Sequence, residues 1–204
     1  MSETGPSPDV VVGADGVPRC RWGVSTDDYR IYHDTEWGVP VHGETPLYER
    51  LTLEAFQSGL SWLTILRKRE AFREAFQGFE AERVARFGDD ERAGLMANPG
   101  IVRNRLKIDA AITNARAVVA LRDQGGLDAL FWSHAPERHD PPARLSDLPA
   151  ASPESVALAK ALKRAGFVFV GPTTMYAAMQ ACGVVDDHVA GCHRARPQAS
   201  RVGT

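Results

Sequence analysis

Four residues with the chemistry of metal ligands stand in two pairs at opposite ends of this sequence: Cys20 and His33 near the start, His188 and Cys192 near the end. If DDHVAGC is helical, His188 and Cys192 fall four residues apart on one face and can share a single ion. Two thiolates and two imidazoles form a closed tetrahedral zinc set, whereas a catalytic zinc keeps an open position. The competing interpretation is that the four are unrelated, a surface histidine and buried cysteines, and the adjacent His193 is a rival to His188 as ligand. The third cysteine, Cys182, lies in an apolar segment and reads as a small core residue. A zinc held by all four would clasp the two ends of the chain together, adding stability by closing a very long loop.

A second chemical centre lies in LTLEAFQSGLSWLTILRKR, residues 51–69. Phe56, Leu60 and Leu63 recur at the spacing of a buried helical stripe, while Glu54, Gln57, Ser58 and Ser61 form a narrow polar line. A carboxylate here is either a solvated group on a helix face or one turned into a pocket, with Trp62 as a stacking surface. A third centre is the Pro99-Gly100 turn, followed by Arg103, Arg105 and Lys107. Free N–H groups at a helix start beside basic side chains suit a phosphate. The alternative is an ordinary helix connection with a solvated basic face.

Elements that could position these residues are helical almost throughout. Thr45-Pro46 predicts a cap and first-turn proline before the central stretch, and Ser61 predicts a cap for a second helix at Trp62. Ser25 with Asp28 predicts a capping box for a helix ending at Gly38. A helix continues to about Gln77, and short helices follow over 79–87 and from Asp89 to the Asn98-Pro99-Gly100 stop. A long one from Arg103 carries Leu106, Ala110, Thr113 and Ala117 on one stripe, and Gly125-Gly126 closes it. Further helices are predicted over LDALFWSH, after the Ser152-Pro153 cap, from Thr173 to Gly183 and within DDHVAGCH. FVFVG, residues 167–171, reads as an extended connector. The fold class is all-α.

The 204 residues suit one domain or two small ones with a real core. A hydrophobic fraction of 44% and a charged fraction of 25% are those of a soluble globular protein. No apolar run reaches membrane-spanning length, so no membrane partner is expected. A net charge of −2 argues against indiscriminate coating of nucleic acid, though not against a local basic face. Three cysteines make no disulfide framework, and no secretory signal opens the chain, so a cytoplasmic protein is expected. Residues 1–18 read as a disordered leader, 19–193 as the functional domain and 194–204 as a disordered tail. Nothing requires more than a monomer.

The blocks RCRWGVSTDDYRIYHDTEWGVP, LTLEAFQSGLSWLTILRKREAFREAF, GIVRNRLKIDAAITNARA and GFVFVGPTTMYAAMQACGVVDDHVAGC together resemble the bacterial 3-methyladenine DNA glycosylase I family, from about Arg19 to His193. The resemblance implies a helix-hairpin-helix glycosylase fold with a zinc site joining the N- and C-terminal segments. It implies Cys20, His33, His188 and Cys192 as ligands of one structural Zn2+. By the same resemblance Glu54 recognises the base, with a direct catalytic part less certain, and Tyr32 and Trp62 are aromatic walls. Trp22, Tyr29 and Trp37 are neighbouring candidates. Leu60 is a candidate wedge for the gap left by an extruded base, and Gly100, Arg103, Arg105 and Lys107 are candidate DNA contacts. The implied partner is double-stranded DNA containing 3-methyladenine; the implied reaction is hydrolysis of the base–sugar bond, leaving an abasic site without strand cleavage. Two positions depart from the family pattern. Ala55 stands where glycine is common, and Asp186-Asp187 where Asn-Asp is usual.

Overall fold

A computed structural model of the chain describes residues 7–196. Among them the fold is mostly helical, organised round α2 (Glu44–Gln57), with nine α-helices and one small hairpin of strands. Helix α2 buries residues on every side, from Leu47, Tyr48 and Leu51 to Leu53, Ala55 and Phe56, which is the signature of a central helix. It packs against α3 (Trp62–Ala75), α6 (Arg105–Leu121), α7 (Gly126–Trp132) and α9 (Pro172–Ala181). Helix α1 (Asp27–Thr35) lies on α3; α4 (Ala81–Ala85) and α5 (Asp89–Ala97) lie on α6, and α8 (Pro153–Arg164) lies on α9. No helix among the described residues is long and apolar enough to cross a membrane.

Several predicted boundaries hold because a side chain makes the cap. Ser61 accepts the Thr64 N–H and starts α3, and Ser152, followed by Pro153, accepts the Ser155 N–H and starts α8. The break between α2 and α3 falls at Gly59, whose φ of +84° ends one helix before Ser61 begins the next. Residues 167–171 form a connector with no strand, as expected, but it bends at Phe169, whose φ is +56°, instead of running extended throughout.

Other expectations are corrected. The all-α class holds, but one small hairpin was not expected. Val10–Val12 (β1), inside the stretch expected as a disordered leader, pairs antiparallel with Pro18–Cys20 (β2), Val10 opposite Cys20. Residues 1–6, and 197–204 of the expected tail, lie outside the described residues. Thr26, not Ser25, caps α1 by accepting the Tyr29 N–H. Helix α2 starts at Glu44 behind Gly43, so Thr45 and Pro46 lie within its first turn, where a missing N–H costs nothing. The DDHVAGCH segment is a run of turns rather than a helix. Leu60 is 41% exposed and Leu106 68%, so neither belongs to the core stripe assigned to it.

Lys107, expected on the basic surface, is turned inward. Its Nζ donates to the carbonyls of Phe56 (2.8 Å) and Ser58 (2.6 Å), satisfying two acceptors at the C-terminal end of α2. Burial lowers its pKa. Lys107→Met keeps the stem and strands both carbonyls. It is expected to lower stability by about 1–3 kcal/mol in denaturant unfolding. Unchanged stability with weakened DNA binding would instead return Lys107 to the surface.

Candidate active site

Helix α2 presents Glu54 to a cavity of about 290 Å³ lined by Trp22, Tyr29, Tyr32, Trp37, Gln57, Trp62, Ala177 and Gln180. A groove of about 320 Å³ shares Glu54, Gln57 and Ala177 with it and runs to Gly59, Leu60, Thr173 and Thr174. The expected pocket residues are therefore gathered in one place, with exposed Leu60 at the rim of the adjoining groove. Tyr32 and Trp62 stand at 5.5 Å, tilted by 41°. Trp22 packs edge-on against both Tyr29 and Trp37. Trp22, Tyr29 and Trp37, the neighbouring candidates, are partly buried against the core and also line the cavity. The Tyr29 hydroxyl accepts the Leu63 N–H, which ties α1 to the start of α3. Ala55, beside Glu54, is buried and does not line the cavity.

Glu54 is only 5% exposed, and no hydrogen-bond donor among the described residues meets its carboxylate. Burial pushes its pKa up to about 7 against the pull of Arg50. Arg50, one turn earlier on α2, was not anticipated from the sequence, although its i−4 spacing from Glu54 is visible there. It is buried, donates to the Tyr32 hydroxyl (2.9 Å), and lies over the rings of Tyr32 (5.6 Å) and Trp62 (5.5 Å). The aromatic walls thus carry a fixed cation behind them. The Trp62 indole N–H is buried and has no partner among the described residues. Gln57, expected on the polar line with Glu54, lines the cavity with it; Ala177 and Gln180 were missed, and no local pattern marks them as wall residues.

Immediately behind Trp22 and Trp37, Cys20, His33, His188 and Cys192 converge, all buried, with one potential ligand atom from each within 4.8 Å of the others. Cys192 Sγ lies 3.4 Å from His33 Nε2 and 3.8 Å from His188 Nδ1, which lies 3.9 Å from Cys20 Sγ. The remaining ring nitrogens are occupied outward: His33 Nδ1 meets Asp34 at 2.8 Å, and His188 Nε2 meets the Trp37 carbonyl at 3.1 Å. Arg19 holds Asp34 through Nε and is itself held by Asp15. These contacts aim one nitrogen of each imidazole inward, as for metal-bound histidines. The backbone must come close to do this. A Cβ on Gly23 would stand 2.7 Å from the His33 ring, and one on Gly38, at φ +78°, 2.9 Å from His188 Nε2. His188 and Cys192 meet without a helix, through a turn closed by the Cys192 N–H on the Val189 carbonyl. His193 stands outside the four, with Nδ1 at the Pro18 carbonyl, its ring 5.7 Å from that of His33 and Nε2 3.6 Å from Asp34. The four residues could hold a metal ion, and Cys182 is a buried core residue apart from them. Asp186 accepts the His188 and Arg196 N–H groups and so ties this turn together.

At the third centre, α5 and α6 are joined by a turn in which Asn98 Oδ1 accepts the Gly100 N–H and Asn104 caps α6. Lys68 grips the turn by donating to the carbonyls of Pro99 and Gly100. Arg103 and Arg105 are exposed, with no ion pair among the described residues.

The methyladenine glycosylase family profile matches residues 22–195. The chain belongs to the methyladenine glycosylase family. The DNA-3-methyladenine glycosylase 1 of Escherichia coli is 45% identical over 180 residues, covering 85% of this chain and 95% of that protein. A crystal structure of 3-methyladenine DNA glycosylase I superposes with a TM-score of 0.83 at 43% identity, covering 87% of this chain and all of the other. A variant of 3-methyladenine DNA glycosylase I, solved in complex with 3-methyladenine, gives 0.82 at 33% identity, covering 88% of this chain and 98% of the other. Within the methyladenine glycosylase fold of this chain, cavity and Cys/His cluster share the Trp22 and Trp37 walls: Trp22 packs on His33 at 5.1 Å and Trp37 on His188 at 4.6 Å.

Burial of Glu54 has a consequence in solution. Its folded pKa near 7 lies above the ordinary 4.5, so between those values the folded state binds more protons than the unfolded one. Its contribution to stability is present at low pH and is lost as pH rises from about 4.5 to about 7. Glu54→Gln is expected to flatten that part of the pH–stability curve. A curve unchanged by the substitution would contradict a buried, titrating Glu54.

Proposed function

We propose that this chain hydrolyses the N-glycosidic bond of 3-methyladenine in alkylated DNA, releasing the base and leaving an abasic site, with the Glu54 cavity as its base pocket. The observation that carries this is a buried carboxylate, met by no donor among the described residues, beside Tyr32 and Trp62. Adenine methylated at N3 in DNA bears a formal positive charge, and cleavage releases it as a neutral base. The leaving group is already good, so strong acid catalysis is unnecessary. The protein has to extrude the nucleotide, hold the base and leave room for water at the sugar.

The side chains fit these tasks. Glu54, ionised, matches a cationic base and accepts hydrogen bonds from its amino edge. Tyr32 and Trp62 offer π faces to the cation, an interaction of about 0.5–2 kcal/mol. Trp22, Tyr29 and Trp37 close the walls. Leu60, exposed after the Gly59 turn, is suited to fill the gap left in the duplex. Neither the cavity nor the adjoining groove is lined by a lysine, which supports simple hydrolysis without an imine to the protein and without strand cleavage.

The α5–turn–α6 unit fits a helix-hairpin-helix element, with Gly100 in the turn and Arg103 and Arg105 free to meet phosphates; Lys107 is withdrawn from this set. Cys20, His33, His188 and Cys192 suit one structural Zn2+. Ligand atoms round a tetrahedral zinc stand about 3.3–3.8 Å apart, close to the 3.4–3.9 Å found between sulfur and nitrogen here. Such an ion would bind the N- and C-terminal segments together, and its four protein ligands leave no position for a reacting water. The glycosylase domain takes in about residues 19–193.

Chromatography of bases released from methylated duplex DNA tests the activity. Free 3-methyladenine should appear while 7-methylguanine stays in the DNA, and Glu54→Gln should lower kcat/KM at least tenfold. No release from folded protein would leave a module that binds damaged DNA without cutting it. For the hairpin, Arg103→Ala and Arg105→Ala should each make the plot of log affinity against log salt shallower by about 0.9 for duplex DNA. Slopes equal to wild type would take both arginines out of the DNA contact.

A further inference from the structure

The cavity wall contributed by α9 carries a group with no role so far. Ala177 and Gln180, three residues apart, line the cavity from one face of that helix. Gln180 Nε2 donates to Asp187 Oδ2 at 2.7 Å. Asp187 is itself buried and is surrounded by donors: the Tyr176 hydroxyl meets Oδ2 at 2.7 Å, and His139 Nε2 meets Oδ1 at 2.7 Å. A carboxylate in such a shell accepts and does not donate, so only the NH2 end of the Gln180 amide can face it. The amide cannot flip without setting oxygen against oxygen. Its Oε1 therefore turns away from Asp187, and no donor among the described residues occupies it.

We propose that Gln180 is a specificity residue of this enzyme, whose Oε1 accepts a hydrogen bond from the exocyclic amine of the bound base while Asp187 holds the amide in that orientation. The inference rests on the cavity being the base pocket. An exocyclic amine brings two N–H groups against the cavity's largely buried side chains, and each needs an acceptor. Glu54 supplies one and Gln180 the other. A purine with an oxygen at that position would set an acceptor against two acceptors, and a purine with hydrogen there would leave both unused. A site that pairs with a substrate N–H discriminates strongly against analogues lacking it. Ala177, beside Gln180, keeps the wall shallow enough for the ring to approach. Asp187 acts only through Gln180 and is a positioning residue.

The test is affinity for two free bases, 3-methyladenine and 3-methylpurine, which lacks the amine, followed by tryptophan fluorescence. Wild type should prefer 3-methyladenine. Gln180→Leu should weaken 3-methyladenine binding about tenfold and leave 3-methylpurine unchanged, so the preference falls by the same factor. The same measurement on Gln180→Met, which keeps the side chain's length, guards against loss of fold in the first variant. Equal weakening for both bases would assign Gln180 to packing and overturn the proposal, as would an unchanged preference. A wild-type protein that bound neither base would overturn the base-pocket assignment itself.

Discussion

The convergence of Cys20, His33, His188 and Cys192 is the constraint on which the rest of the site depends. It joins residues 168 positions apart in sequence at a Cys20–His188 separation of 3.9 Å. Each imidazole is oriented from outside, by Asp34 and by the Trp37 carbonyl, and glycine backbone at positions 23 and 38 presses against the rings. The same short segments, Arg21–Val24 and the turn after α1, carry Trp22 and Trp37 into the cavity. Fixing the cluster therefore fixes two of the cavity's walls. The β1–β2 hairpin belongs to this construction: Cys20 ends β2, and the Pro18 carbonyl accepts the His193 N–H.

The second organising feature is charge on the central helix. Arg50 and Glu54 are both buried on α2, yet no salt bridge joins them. Arg50 is committed to the Tyr32 hydroxyl and to the rings of Tyr32 and Trp62; Glu54 lines the cavity. A buried carboxylate without a partner costs stability. That cost falls when a ligand brings positive charge and N–H groups. Arg50 stabilises the ionised carboxylate, and its guanidinium also holds the Tyr32 ring in place. The cavity is thus arranged for a cationic ligand of the kind proposed, on a helix whose other faces are packed into the core.

Much of this was legible in the sequence where a side chain acts on its own neighbours. Ser61 and Ser152 cap the helices they were expected to cap, and the Gly59 break follows from one residue's backbone freedom. The pocket set of Glu54, Tyr32 and Trp62 came from resemblance, and the geometry brings those residues together. What failed was set by tertiary contact. Three-residue strands in a Gly- and Pro-rich stretch carry no alternation to detect, and the hairpin forms because the C-terminal turn packs on it. Lys107 looked like a surface cation but is drawn in by two carbonyls from another helix. His188 and Cys192 meet as expected but through a turn, since i and i+4 neighbours do not require a helix. Arg50 and Gln180 are positioned by partners 18 residues or fewer away in sequence, yet nothing in the sequence marks those partners as touching.

The most direct measurement is metal content together with base affinity, before and after chelation. The account predicts about one zinc per chain, and loss of thermal stability and of 3-methyladenine binding together when it is removed, both recovered on adding zinc back. A protein purified without metal, or one that keeps its melting temperature and its affinity after chelation, would contradict the claim that the four-residue cluster holds the pocket in shape.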